Sequence, residues 1–522
     1  MPAPNAFNLV AAAMPLLIVL YLMVGRNWGG SKAGPAGWAT AAVVGVLFYG
    51  ADGRLLLVAW ERSVLLALFV LYVIWMALLF YHTVNEAGVI AAIGREMPGL
   101  AQDKPAQALL LAWIFGSFLQ GATGFGVPAA VVAPLLVGLG FSAETAVVMA
   151  LLGHAWAVTY GSLGSSFLSL MAATGLPGEV LAGPVAGLLA VCCLGCGLGV
   201  LWLAGGQPAL RRRGLFLVIM TAVMSAVQWG LALAGLWTLA AFGAGLAGLI
   251  LAILLLSHPA GGRRSERREG GRRPRSLRPL VSVFLPYAIL IAVIVMGQLV
   301  FRAPLSRIKI NPVFPEVGTS FGWVTPAGPG RSISLFGHAG ALLFYTSLIT
   351  FTWYRWRRRL GDSALAAYNG RAIWAKTVRG WVKPTVGVYS LVAMALTMQH
   401  AGMTQMLAEA LSANTGPVFP FLSPLIGALG SFMTGSNTNS NVVFGQLQQQ
   451  TAAVLGLPVA LILAAQTAGG AIGGLFAPAK VIVGCSTVPG ADDGRVLKAA
   501  TVYGLAIIVA VGLLVWALAG WL

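Results

Sequence analysis

Residues 435–441 read GSNTNSN, seven consecutive positions carrying only glycine, hydroxyl or amide groups inside an apolar stretch. Hydroxyls and amides donate hydrogen bonds to a carboxylate, and their oxygens accept from a hydroxyl or coordinate a cation. A second break, GATGFG at 121–126, offers glycines that let the chain turn and a ligand approach the backbone. The candidate binding residues are Gln120, Gly121, Thr123, Gly124 and Gly126 in the first break. In the second they are Ser436, Asn437, Thr438, Asn439, Ser440 and Asn441, with a sodium position expected near Ser436, Asn437 and Thr438. Gln466, Thr467, Gly469 and Gly470 of QTAGGAIGG join them, as does His154 of GHAWAVTYGSLG (153–164). Blander readings compete: a hydrated loop for GSNTNSN, helix packing for the glycines, and a hydrogen-bonded buried imidazole for His154. Lys480 offers a positive charge near the second site, or snorkels from a helix end.

An acid within the membrane would be the default proton carrier. All fourteen acids lie in loops or near predicted span ends, and none in the breaks. The proton-coupling candidates are therefore His154 and the pair His82 and Glu86 at spacing i,i+4 in YHTVNEAG, which also reads as an interfacial helix end. Of four cysteines, Cys192, Cys193 and Cys196 sit in an apolar run without His or carboxylate neighbours, and Cys485 stands alone. No metal centre, disulfide framework or cofactor is expected.

These residues are set in a chain of 522 residues with mean hydropathy +0.86 and 9% charge. Soluble domains carry about 25%. Many runs reach the roughly 20 apolar residues that cross a bilayer. The chain reads as an all-α polytopic membrane protein. The net charge of +18 lies in short blocks between spans (263–278, 355–359 and 371–383), as cytoplasmic loops require, and not in a nucleic-acid surface. Residues 8–24 read as a retained first span, because no basic n-region or cleavage site accompanies them.

About 12 spans are predicted, near 8–24, 37–51, 63–83, 143–160, 179–204, 214–235, 236–256, 279–300, 334–354, 384–406, 458–474 and 500–521. Two more apolar stretches, 106–140 and 417–456, are interrupted near the middle and read as re-entrant hairpins. Placing the basic blocks inside leaves both termini and 301–333 outside. The first hairpin then opens from the cytoplasm and the second from outside. The halves, 1–256 and 279–522 around the basic loop 257–278, read as inverted repeats, the layout of a secondary transporter. Backbone without partners costs several kcal/mol in lipid, so each break must meet protein or a watery cavity. The half-helix after a break directs free N–H groups at a ligand and favours an anion.

FLQGATGFGVP (118–128), LFGHAGALLFY (335–345), TGSNTNSNVVFGQLQ (434–448) and QTAGGAIGGLFAP (466–478) resemble the lactate permease family, in the family's order. The resemblance implies import of lactate or glycolate. It also implies a place among hairpin-containing, elevator-type and often dimeric transporters. The family commonly carries a glutamate where this chain has Gln120, an aspartate at Asn437 and a lysine at Gly474.

The expected function is uptake of a small 2-hydroxymonocarboxylate, L-lactate, D-lactate or glycolate, across the bacterial plasma (inner) membrane. The driving gradient is H+ or Na+. The alternative cargo is another organic anion, a dicarboxylate or sulfonate, since Gln120 and Asn437 remove two acids. Expected partners are the carboxylate, the bilayer and a second copy in a homodimer, with no nucleic acid. A passive channel would conduct without ion coupling. An enzyme would need convergent nucleophile, base or metal ligands, and the five histidines lie far apart.

Overall fold

The computed structural model describes residues 1–521 apart from 27, 97–100, 102, 125 and 258–277. Phe125 of the first break and nearly all of the basic loop 257–278 thus lie outside the described residues. The chain is mostly helical, and six helices among the described residues are long and apolar enough to cross a membrane. They are Ala6–Gly25, Gly53–Glu86, Gly178–Leu233, Met403–Thr434, Val459–Phe476 and Asp493–Trp521. Several other expected spans are shorter or bent. The predicted spans 179–204 and 214–235 are two helical segments joined directly across a kink at Gly205 and Gly206, whose backbone is not helical. The predicted span 384–406 begins earlier, as Gly370–His400, and turns at Gly402 (φ 82°) into Met403–Thr415.

Both interrupted stretches form helix–break–helix hairpins. In the first, 104–122 runs out and Val127–Gly138 returns, with Gly124 (φ 66°) and Gly126 (φ 84°) at the tip. Asp103 caps the outgoing arm by accepting from Ala106 N at 2.9 Å. Lys104 Nζ donates to Gly140 O at 3.3 Å and ties the mouth. In the second, Phe419–Thr434 meets Asn437–Val454 at Gly435 (φ 67°). Ser436 caps the return arm by accepting from Asn439 N at 3.3 Å. The two mouths lie at opposite ends of Asp493–Trp521. Near its start Arg495 pairs with Glu144, just past the first mouth, at 3.8 Å. Near its end Trp516 Nε1 donates to Pro417 O at 3.0 Å.

A broken helix follows each hairpin. Ala143–Ala155 gives way to a turn and then to Ser162, Leu163 and Gly164, all left-handed, before helix resumes to Thr174. Left-handed Ser162 and Leu163 each cost on the order of 1 kcal/mol or more, and persist only where packing imposes them. Val459–Gly473 likewise yields to an extended Ala477 and the half-helix Pro478–Ser486.

A second group of helices surrounds these elements. Gly30–Tyr49, Gly53–Glu86, Ala339–Arg359 and Gly370–His400 pack on one another, so helices of both chain halves share one body. The all-α expectation misses one element. Residues 309–334 form a nested antiparallel ribbon: Lys309–Ile310 pairs with Ile333–Ser334, Val313–Phe314 with Gly328–Pro329, and Val317–Gly318 with Val324–Thr325. Pairs of two residues, spaced by glycine and proline, carry no readable alternation. The ribbon buries Phe314 and Val317 in one cluster with Leu55 and Val58. Its tip receives the amino terminus, Met1 N donating to Phe321 O at 2.8 Å.

Candidate substrate and ion site

The polar run of the second hairpin meets the broken helix of the first half. Asn437 is buried, and its Nδ2 lies 3.1 Å from Thr159 Oγ1 and 3.2 Å from both Thr467 O and Thr467 Oγ1. Asn441 Nδ2 donates to Ser166 O and Thr467 Oγ1, each at 2.9 Å. Thr438 Oγ1 stands 3.1 Å from Ser166 Oγ, and Ser169 Oγ donates to Thr438 O at 3.3 Å. Four elements thus converge: the break 156–164, the helix after it, the start of Asn437–Val454 and the middle of Val459–Gly473.

Three amide oxygens in this cluster, Oδ1 of Asn437, Asn439 and Asn441, are buried without a partner among the described residues. An amide's oxygen and nitrogen are assigned from their partners. Asn437 Nδ2 and Asn441 Nδ2 both face backbone carbonyls, which only accept. The nitrogens are therefore the donors, and the two oxygens are acceptors left over. An unmet buried acceptor costs about 1–3 kcal/mol. A cation or a hydroxyl donor placed there removes that cost. The first turn of Asn437–Val454 adds backbone N–H groups without intrahelical acceptors, which suit an anion.

The other candidate residues divide by role. Ser440 Oγ donates to Gly427 O at 2.7 Å and accepts from Gln466 Nε2 at 3.0 Å. Gln466 in turn accepts from Gln448 Nε2, so Ser440 and Gln466 hold the hairpin to the helix behind it. Gly469 has no room for a Cβ against the Pro424 backbone, and Gly470 has none against Asn437 Oδ1. In the first break, Gly121 packs its bare backbone on Phe242, and Thr123 Oγ1 donates to Leu119 O at 2.7 Å. Gln120 is buried beside Gly161, and Gly124 beside Ser162. The tip residue Gly126 abuts Val483 of the half-helix Pro478–Ser486, whose Ala479 abuts Gly435 at the other tip. No hydrogen bond among the described residues joins the two breaks directly. The broken helix at 156–169 bridges them.

His154 is buried, with Nδ1 2.7 Å from Ala150 O in its own helix, and lies within electrostatic reach of Lys480. Lys480 Nζ lies 2.6 Å from where a Cβ on Gly474 would stand. Position 474 thus gains a cation from a residue six places on. His82 and Glu86 are not brought to the site. Glu86 pairs with Lys376 at 2.6 Å, and His82 faces Gly380. Thr159, Ser166 and Ser169 are the residues that reading the sequence missed. GSLGSSFLS (161–169) places four serines inside an apolar stretch, and that polar density was the available signal. The buried cysteines Cys192, Cys193, Cys196 and Cys485 are free, and no cluster of metal-ligating groups occurs among the described residues.

Residues 8–521 match the L-lactate permease family. The chain belongs to that family. It is 26% identical to the L-lactate permease of Bacillus subtilis (strain 168), covering 92% of this chain and 90% of that one. It is 27% identical to the glycolate permease of Escherichia coli (strain K12), over 80% and 78% of the two chains. Among solved structures, the Alcanivorax borkumensis YdaH transporter aligns at TM-score 0.43 and 14% identity, over 86% of this chain and 85% of that one. The permease is a multi-pass bacterial membrane transporter and not an enzyme.

Proposed function

We propose that the permease imports a small 2-hydroxymonocarboxylate, L-lactate, D-lactate or glycolate, together with sodium. The observation that carries the ion is the pair of leftover oxygens on Asn437 and Asn441, whose orientation their carbonyl partners dictate. Amide oxygens coordinate a cation without holding a proton, and neither break contains an acid to carry one. The carboxylate would sit at the N-terminus of Asn437–Val454, where the helix dipole and free N–H groups favour negative charge. Its 2-hydroxyl would donate to an amide oxygen. The related lactate and glycolate permeases support this class of cargo.

The halves act as inverted repeats in this reading, and the placement of the two hairpin mouths at opposite ends of Asp493–Trp521 supports it. Hairpins and broken helices would move as a body against the helices around Gly53–Glu86, in an elevator-type cycle within a homodimer.

Radiolabelled L-lactate uptake into proteoliposomes, with sodium and proton gradients varied independently, tests the proposal. A sodium gradient drives accumulation at zero ΔpH. Accumulation driven only by ΔpH overturns the sodium assignment and moves coupling to His154. No uptake of lactate or glycolate under either gradient overturns the cargo.

A further inference from the structure

A second basic feature lies away from the hairpin site, where the ribbon meets the long helix Gly53–Glu86. Arg62, Leu66 and Phe69 occupy one face of that helix at i, i+4 and i+7. The Arg62 guanidinium stands 5.0 Å from the ring centre of Phe314 on the ribbon. In return Arg331 of the ribbon stands 4.1 Å over the ring of Phe69. This reciprocal clasp holds both guanidinium groups against aromatic faces.

Aromatic faces orient the two cations but do not neutralise them. Arg62 Nε and Nη2 and Arg331 Nε are buried without a hydrogen-bond partner, and neither arginine forms an ion pair among the described residues. Both arginines border a cavity of about 550 Å³, and no Asp or Glu lines it. His400 lies within electrostatic reach of Arg62, and His338 of Arg331, whereas Glu179 lines the adjoining cavity with Phe69, Ser332 and His338 and not this one. Both side chains are part-buried, yet these three nitrogens are closed off from solvent, and an arginine fork matches a carboxylate. What these groups lack is an anion.

The rest of the lining says what an anion would join. Gly175, at the end of the first broken helix, and Gln446, on the return arm of the second hairpin, line the same cavity as Arg62 and Gln399. An occupant would bridge the hairpin-bearing elements and the helices around them. Gln446 lies on the same helix as Asn437 and Asn441.

We infer that this cavity is an anion-binding vestibule that takes a small carboxylate between Arg62 and Arg331, separate from the uncharged hairpin site. The arginines select charge and the amides select shape and ion. The occupant's chemistry rests on the proposed carboxylate cargo, whereas the existence of an anion site does not.

The test measures binding by the purified full-length protein in detergent. Sodium acetate and sodium L-lactate are titrated against equal NaCl, and the apparent Tm of each variant is compared with its own ligand-free value. Acetate raises the Tm of wild type and of Asn437→Ala. In R62Q/R331Q the concentration needed for the same shift rises at least tenfold. Phe314→Leu removes the Arg62 half of the clasp but keeps both charges, so it retains the shift. Should the double variant fail to fold, Arg331→Gln alone stands in, and a weakened acetate response is expected of it too. An unchanged acetate response in R62Q/R331Q, or no response in wild type, overturns the vestibule. A lactate shift lost in Asn437→Ala but kept in R62Q/R331Q overturns it too, while leaving the hairpin site standing.

Discussion

The two hairpins share a layout and differ in what their tips leave unsatisfied. At the first tip, Thr123 bonds its own helix and Gly121 is pressed against Phe242. At the second, three asparagine oxygens find no partner among the described residues. The first half nevertheless enters the site through Thr159, Ser166 and Ser169, on the broken helix that follows its hairpin. Similar folding of two halves therefore does not assign them equal chemistry. The first tip is packed and bonded within the protein, and the second leaves acceptors over, which is why the ligand is proposed there.

The sharpest way to break that comparison is Asn437→Ala. A contact with a charged partner contributes about 1.5–3 kcal/mol, so initial uptake of labelled lactate should fall about 10–100-fold. The variant should still purify as a monodisperse species. Paired glycine variants come next. In Gly470→Ala the new Cβ meets Asn437 Oδ1, the end of a side chain that can turn aside only by giving up its hydrogen bonds, so uptake falls by nearly as much while apparent Tm falls less than in a backbone clash. In Gly121→Ala it meets the Phe242 backbone, and overpacking of this kind costs roughly 1–3 kcal/mol. That variant should lose apparent Tm and yield but keep uptake per folded molecule. Finding both variants equally impaired in uptake would erase the distinction between the tips.

Smaller effects sharpen the same picture. Thr159→Val and Ser166→Ala each remove one partner of the second tip, a hydrogen bond contributing about 1 kcal/mol. Each should reduce uptake about fivefold, measured as initial rate at saturating sodium. Lys480→Gln removes the cation beside Gly474 and should raise the KM for lactate a few-fold without changing the maximal rate. The smallest change belongs to His82→Gln combined with Glu86→Gln. These groups sit with Lys376 and Gly380, away from both tips, so uptake at fixed pH should stay within about twofold of wild type.

Much of this was legible in the chain itself. The apolar runs, the polar breaks and the basic loops depend on composition along short windows, and the hairpins appear where the breaks lie. The ribbon at 309–334 was not legible, because its two-residue strands pair across up to 24 residues and have no alternation to read. Ser166 and Ser169 escaped because their partner, Thr438, is about 270 positions away.

Sequence alone determined that residues 435–441 would be an uncharged polar break between two apolar arms, since hydropathy and glycine content act locally. It could not rank the residues within that run. Each step along a helix turns the side chain by about 100°, so neighbours of similar type meet different surroundings. Ser440 is turned toward Gly427 and Gln466 and becomes a brace. Asn437 and Asn441 are turned toward Thr159, Ser166 and Thr467, where their nitrogens are satisfied and their oxygens are not. Only the packing of the first half's broken helix against the second half's hairpin decided which oxygens were left without a partner.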